Sequence, residues 1–224
     1  MSIFRLFVNH QKKESFVNQF RKKRFQLLIT RIEEIIKGNN FKILDIGGDI
    51  QYWKNIGWKH SACKIHLLNL YKIEIPLNEN CQFSSEIGNA LDLPYQKKEY
   101  DLVFSNSVIE HVGSYQNQKR FANEVMRVSE NYIIQTPSLW FPLEPHSLLP
   151  FFQFIPHSIR AMLIMIFNIN YFPKAKTYKE ALKVSHSTLM FTKKRFQKLF
   201  PEAEIQVERF LGIPKSYTAI KINR

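Results

Sequence analysis

Short apolar runs alternate along the chain with longer stretches of helical periodicity. Phe41 to Ile46 is apolar and partly β-branched, which predicts a buried strand. Lys64 to Leu70, Gln82 to Ile87, Tyr100 to Phe104 and Asn131 to Gln135 read as four more strands, and Ala203 to Glu208 and Tyr217 to Ile222 as the last two. Gln118 to Val128 places Phe121, Val125 and Val128 on one helical face, and Thr192 to Phe200 reads as a basic helix stopped by Pro201. Ser107 to Val112 is expected to start a helix. Phe4 to Lys37 reads as a helical, basic lead-in ended by Gly38-Asn39-Asn40. Strands alternating with helices predict an α/β domain with a parallel sheet and right-handed crossovers. No repeat or low-complexity linker marks a boundary, so residues 1–224 are expected to form one domain.

The first strand ends at Gly47-Gly48, a pair that demands a sharp turn bare of side chains. It is either an ordinary strand turn or a small-molecule cradle at the carboxyl edge of the sheet. A pyrophosphate cradle has Gly-x-Gly-x-x-Gly; here the third glycine is missing, and Asp45 and Asp49 would repel phosphate. Acidic flanks suit a cationic ligand instead.

Leu44-Asp-Ile-Gly-Gly-x-x-x-Tyr-Trp53 resembles motif I of class I S-adenosylmethionine-dependent methyltransferases, in a bacterial subgroup of the type 11 kind. Three further blocks resemble the same family: Gly88-Asn-Ala-Leu-Asp-Leu-Pro-Tyr95, Tyr100-Asp-Leu-Val-Phe-Ser-Asn-Ser-Val-Ile-Glu-His-Val112 and Thr136-Pro-Ser-Leu-Trp-Phe-Pro-Leu-Glu-Pro-His146. The resemblance runs from about residue 40 to the end. It implies a Rossmann-like, seven-stranded, mostly parallel sheet with helices on both faces and an antiparallel pair at the end. It also implies S-adenosyl-L-methionine as cofactor, held by Asp45, Gly47, Gly48, Asn69, Asn89, Ala90 and Ser105. Asn69 and Asn89 stand where the family carries acids for ribose and adenine. An amide still accepts a hydrogen bond but lacks the charge-assisted one.

Glu110 and His111 are either surface chemistry or pocket residues, and the resemblance favours the pocket. Pro137, Pro142 and Pro145 stiffen the loop that brings Trp140, Phe141, Glu144 and His146 over it. His146 is either a proton acceptor for a substrate hydroxyl or a structural histidine bonding loop carbonyls. Glu110, His111 and His146 are thus the catalytic candidates.

Leu148 to Phe172 is strongly apolar but broken by Pro150, Pro156 and Arg160, and its uninterrupted part is shorter than the about 20 residues a spanning helix needs. It is expected to be a lid helix, a dimer face or a membrane-surface helix, within an insertion at 136–186 between the fifth and sixth strands. The net charge of +13 calls for an anionic neighbour. Two cysteines, Cys63 and Cys81, fit buried thiols in a reducing compartment and form no metal motif, so no metal is expected. Arg5, His10, Lys12 and Lys13 break any leader-like apolar run.

The reading at this point is methyl transfer to oxygen of a small-molecule, glycan or lipid-linked acceptor, by a cytoplasmic protein touching the inner membrane face through 148–172 or pairing with a second copy. The rivals are a nucleic-acid methyltransferase and a non-catalytic binding module. The scattered basic residues and Ser105-Asn106-Ser107-Val108, in place of an Asn-Pro-Pro-Tyr-type motif, speak against nucleic acid.

Overall fold

The computed structural model describes residues 28–36, 40–58, 60–79, 82–167, 169–170, 172 and 174–223. Most of the basic lead-in and Cys81 lie outside them; Cys63 is a buried free thiol. Among the described residues, no helix is long and apolar enough to cross a membrane.

Seven strands form one sheet: β1 (Phe41–Ile46), β2 (Cys63–Asn69), β3 (Phe83–Ile87), β4 (Leu102–Asn106), β5 (Tyr132–Pro137), β6 (Glu204–Phe210) and β7 (Ile213–Lys221). Their order is β3-β2-β1-β4-β5-β7-β6. The first five strands are parallel, and β7 runs antiparallel to both β5 and β6. This is the expected seven-stranded, mostly parallel α/β sheet. The order reverses between β1 and β4, and a crevice forms at the carboxyl ends of strands where that happens.

Period-two alternation along β1 divides the core. Leu44 and Ile46 join one cluster with Phe121, Val125 and Val128 of α2 (Tyr115–Val128) and Phe196 and Leu199 of α5 (Lys193–Leu199). Ile43 joins the opposite cluster, with Leu28 and Ile32 of a helical segment at 28–33 and with Trp53 of α1 (Ile50–Asn55). Helices therefore cover both faces. A third, separate cluster (Phe152, Ala161, Ile164, Ile169, Phe172 and Ala181) lies in the insertion, around α3 (His157–Ile166) and α4 (Tyr178–Ser185).

Several boundaries differ from those expected. The helix predicted at Ser107 to Val112 is one 3-10 turn, Ile109–His111. Ser107 is left-handed at φ 58° and Gly113 at φ 90°, so the chain turns on both sides. β6 and β7 run closer together than predicted. Leu211 and Gly212 both have positive φ, 49° and 81°, giving the two-residue hairpin loop whose twist matches the strands. Gly212-x-Pro-Lys-Ser216 is thus a hairpin turn running into a strand, with Pro214 opposite a register shift at Glu208/Arg209.

Candidate active site

The site is built where β1, β2, β4 and β5 end. Gly47 follows β1 at φ 75°, and its amide donates to the Leu68 carbonyl at 2.8 Å. A Cβ on Gly47 would sit 2.4 Å from Val108 Cγ2, and one on Gly48 would sit 1.9 Å from Asp45 Oδ2. Both glycines are therefore required by neighbours within the protein. Asp49 caps α1, its Oδ1 accepting from the Gln51 amide at 3.0 Å.

Asp45 does not line the crevice as the motif suggested. It is 1% exposed, packed under Gly48, and its Oδ2 accepts from the Trp53 indole N–H at 2.6 Å. Burial pushes its carboxyl up to about 7; the indole hydrogen bond opposes that rise and Asp49 adds to it. The physical reason is strand alternation: Asp45 shares the face of Ile43, which carries the Trp53 cluster.

Asn69 ends β2 and is nearly buried. Its Nδ2 donates to the Gly48 carbonyl at 3.0 Å, joining the second strand to the turn. Asn89 is exposed, and its Oδ1 accepts from the Leu91 amide at 2.9 Å, an Asx turn that places Ala90 between them. Ser105 is fully buried; its hydroxyl donates to the Ile46 carbonyl at 2.9 Å, tying β4 to β1 and turning the side chain away from any ligand.

The left-handed Ser107 sends Val108 back against Gly47 and starts the 3-10 turn that carries Glu110 and His111. The Glu110 backbone carbonyl accepts from the Leu189 amide at 2.7 Å, and Gln118 Nε2 donates to the Leu189 carbonyl at 3.0 Å. These bonds fix the turn from the far side. Glu110 is fully buried, with Oε2 accepting from the Thr136 hydroxyl at 3.0 Å and Oε1 lacking a hydrogen-bond partner. Burial pushes its carboxyl up to about 7, against its own amide, Thr136 and His146.

The loop after β5 supplies the third residue. The Phe151 amide donates to the Pro142 carbonyl at 2.6 Å, and Gln153 Nε2 donates to the Phe141 carbonyl at 2.7 Å. Leu148 and Phe151 take left-handed conformations, φ 55° and 58°, to close this loop. Glu144 is buried within it. Its carboxylate accepts from the His146 amide at 3.1 Å, from the Ser147 amide, and from His146 Nδ1 at 2.6 Å. Burial would raise the Glu144 carboxyl, but His146 and Ser147 together hold it below the ordinary range. His146 Nε2 lies 3.0 Å from His111 Nε2. Desolvation, and then His146, pull the His111 imidazole down, while Glu144 and the Ser187 backbone oppose.

Glu110, His111 and His146, separated by up to 36 positions in sequence, thus stand together: one ligand-type atom from each lies within 4.8 Å of the others. The sequence named these three and placed Glu144 in the loop, without seeing that Glu144 orients His146. The Glu-x-His spacing was the available signal. Thr136 as a partner of Glu110 had none.

Residues 50–131 match the family model described as a methyltransferase domain. This segment is similar to a methyltransferase domain. The chain's sheet has the class I methyltransferase fold, shared with two solved structures of low identity. A SAM-dependent methyltransferase structure from Methanosarcina mazei is 15% identical with TM-score 0.51, over 84% of this chain and 94% of that one. A small RNA methyltransferase is 14% identical with TM-score 0.52, over 89% of this chain and 25% of that one. A candidate O-methyltransferase from Nostoc punctiforme is 13% identical with TM-score 0.49, over 92% of this chain and 58% of that one. The chain thus spans little over half the length of the Nostoc structure. The methyltransferase-domain match takes in α1, β2, β3, β4 and α2, and so includes Asn69, Asn89, Ser105, Glu110 and His111. The Gly47-Gly48 turn and His146 flank it.

Proposed function

We propose that the chain transfers a methyl group from S-adenosyl-L-methionine to a hydroxyl oxygen of a small-molecule, glycan or lipid-linked acceptor. The observation that carries this reading is the meeting, at one sheet edge, of the Gly47-Gly48 turn and the Glu110–His111–His146 cluster, bridged by Val108. The donor set suits this cofactor. Asn69 spends its amide nitrogen on Gly48, which leaves its carbonyl oxygen to accept from a ribose hydroxyl. Asn89 Oδ1 keeps a second lone pair for the adenine amino group, and the backbone at Ala90 and Ser105 borders the same edge.

When bound, S-adenosyl-L-methionine supplies a methyl group on a sulfonium, an electrophile with a good leaving group built in. The chain's part is then orientation and proton acceptance. Orientation of two reactants accounts for about 7–11 kcal/mol of barrier. His146 is the proton acceptor: Glu144 accepts from Nδ1, which makes Nε2 the basic atom and keeps the ring in place. One positioned base contributes about 100- to 10,000-fold. A lipid-linked acceptor is supported by the apolar residues left in water beside the loop: Phe151, Phe154, Ile159, Met162, Ile166 and Phe167. Contact with the inner face of the membrane, in the cytoplasm, accords with these residues and with the free thiol of Cys63.

Calorimetric titration with S-adenosylmethionine and S-adenosylhomocysteine tests the reading. Both are expected to bind, and Asn69→Ala and Asn89→Ala each to weaken binding by about 0.5–1.5 kcal/mol. With an acceptor found by transfer of labelled methyl, Glu144→Gln is expected to lower kcat at least tenfold with unchanged affinity for S-adenosylhomocysteine. Absence of binding by either compound would leave the rival reading, a non-catalytic module.

A further inference from the structure

From the facing imidazoles of His111 and His146 and the unpartnered oxygen of Glu110, we infer a binding site for one first-row divalent transition-metal cation. The argument starts with the two rings. Glu144 can only accept from His146 Nδ1, so that nitrogen carries the proton and Nε2 presents a lone pair. That lone pair faces the Nε2 of His111 across 3.0 Å. Such a pair of nitrogens is stable only with something electropositive between or beside it, either a shared proton or a metal ion.

Geometry and surroundings favour the ion. Metal–imidazole bonds of about 2.0–2.1 Å put adjacent ligand nitrogens roughly 3.0–3.4 Å apart, and the observed 3.0 Å falls at that separation. The third group is a carboxylate, and the three ligand-type atoms lie within 4.8 Å of one another, so movement of well under 1 Å brings all three to one centre. Glu110 Oε1 is buried with no hydrogen-bond partner, an expensive condition that a cation relieves. The supporting residues are those a metal site carries. Glu144 holds the far nitrogen of His146, and the Thr136 hydroxyl holds the second oxygen of Glu110. Two imidazoles and one carboxylate suit zinc, iron, cobalt or nickel better than magnesium or calcium. Three protein ligands leave open positions for water or for an acceptor oxygen.

The role of such an ion rests on the methyl-transfer reading above; its binding does not. With the ion bound, His146 Nε2 would be a ligand in place of the proton acceptor; a hydroxyl on an open position would be acidified and fixed in place, and its proton would pass to water. The cysteine-based expectation of no metal did not reach this site, because its ligands come from the 3-10 turn after β4 and the loop after β5.

The test uses tag-free full-length protein, stripped with chelator, titrated calorimetrically with zinc chloride and monitored by visible absorption with cobalt chloride. One ion per chain is expected, together with cobalt d–d bands. His111→Ala and His146→Ala should each weaken zinc binding at least tenfold, and Glu144→Gln by about 10- to 100-fold. His60→Ala, whose ring pairs with Glu33, should bind as the parent does. Circular dichroism melts of each variant show that it is folded; Glu110→Gln gives a near-isosteric replacement that should also weaken binding. Zinc binding absent up to about 100 μM, or retained in both histidine variants, would overturn the site. S-adenosylhomocysteine is titrated into the same stripped sample. If it binds while zinc does not, the metal proposal alone fails; if zinc binds while it does not, the methyl-donor reading alone fails.

Discussion

Asp45 shows how one buried carboxyl shapes the pH response of the whole domain. Its folded-state pKa, about 7, lies well above the ordinary carboxyl value of 3.8. The folded chain therefore holds a proton that the unfolded chain releases between these values. The contribution of this group to stability is then greatest at acid pH and is lost as pH rises to about 7, by at most about 1.4 kcal/mol per pH unit. Glu110, also raised to about 7, acts in the same direction. Asp45→Asn keeps an acceptor for the Trp53 indole and cannot ionise. Urea unfolding between pH 4.5 and 8 should show a flatter pH dependence in this variant, with the Glu110 share remaining; an unchanged slope would refute the assignment. The turn gives a second residue-scale expectation. Gly48→Ala places a Cβ 1.9 Å from Asp45 Oδ2, and forced overpacking costs about 1–3 kcal/mol. Asp45→Ala should relieve part of that penalty, visible as a coupling energy in a double-mutant cycle. Additive penalties would mean that Gly48 is constrained by something else. Motif reading saw the glycines and the acid correctly as neighbours. It could not see that the acid lies beneath the turn, because that depends on which sheet face the strand turns inward.

The α3 helix is legible in part. The apolar run of residues 148–172 announced a helix near a surface, and Pro156 marked its start. What sequence alone left open was which stripe faces in. Arg160, Ala161 and Ile164 are buried, whereas Ile159, Met162, Ile166 and Phe167 are exposed. Ile164 thus belongs to the insertion's core and would be a poor choice for probing the surface; Ile166 and Phe167 are the residues to change. Cosedimentation with anionic liposomes should be stronger at low salt than at high salt, because basic groups near a membrane contribute about 1 kcal/mol each. Ile166→Ser with Phe167→Ser should reduce the bound fraction severalfold without lowering the melting temperature. Protein that stays in the supernatant at low salt would end the membrane reading. Arg160, read from sequence as a break in the apolar run, is instead a packed residue whose guanidinium lies 2.8 Å from His157 Nδ1. Its long stem explains how a charged side chain can sit on the inner stripe.

At the scale of the whole molecule, the sheet was the most legible part, since five apolar runs separated by helical stretches leave few topologies. The meeting of Glu110, His111 and His146 was less so. Each residue could be named, but their convergence depends on the left-handed Ser107 and on a loop folded back through Leu148 and Phe151, which no periodicity encodes. The insertion has a small core of its own, in which Phe152, Ala161 and Ile164 pack with Phe172 and Ala181 and join neither cluster of the sheet. Such a unit can open without disturbing the layer beneath it. Amide hydrogen exchange should therefore separate the chain into two populations: α3 and α4 exchanging through partial opening at mild denaturant, and β1, β4 and β5 exchanging only with complete unfolding. His146 belongs to the strap that joins the two. Its side of the cluster would come and go with the faster population, while Glu110, anchored through Thr136 at the end of β5, would remain with the slower one.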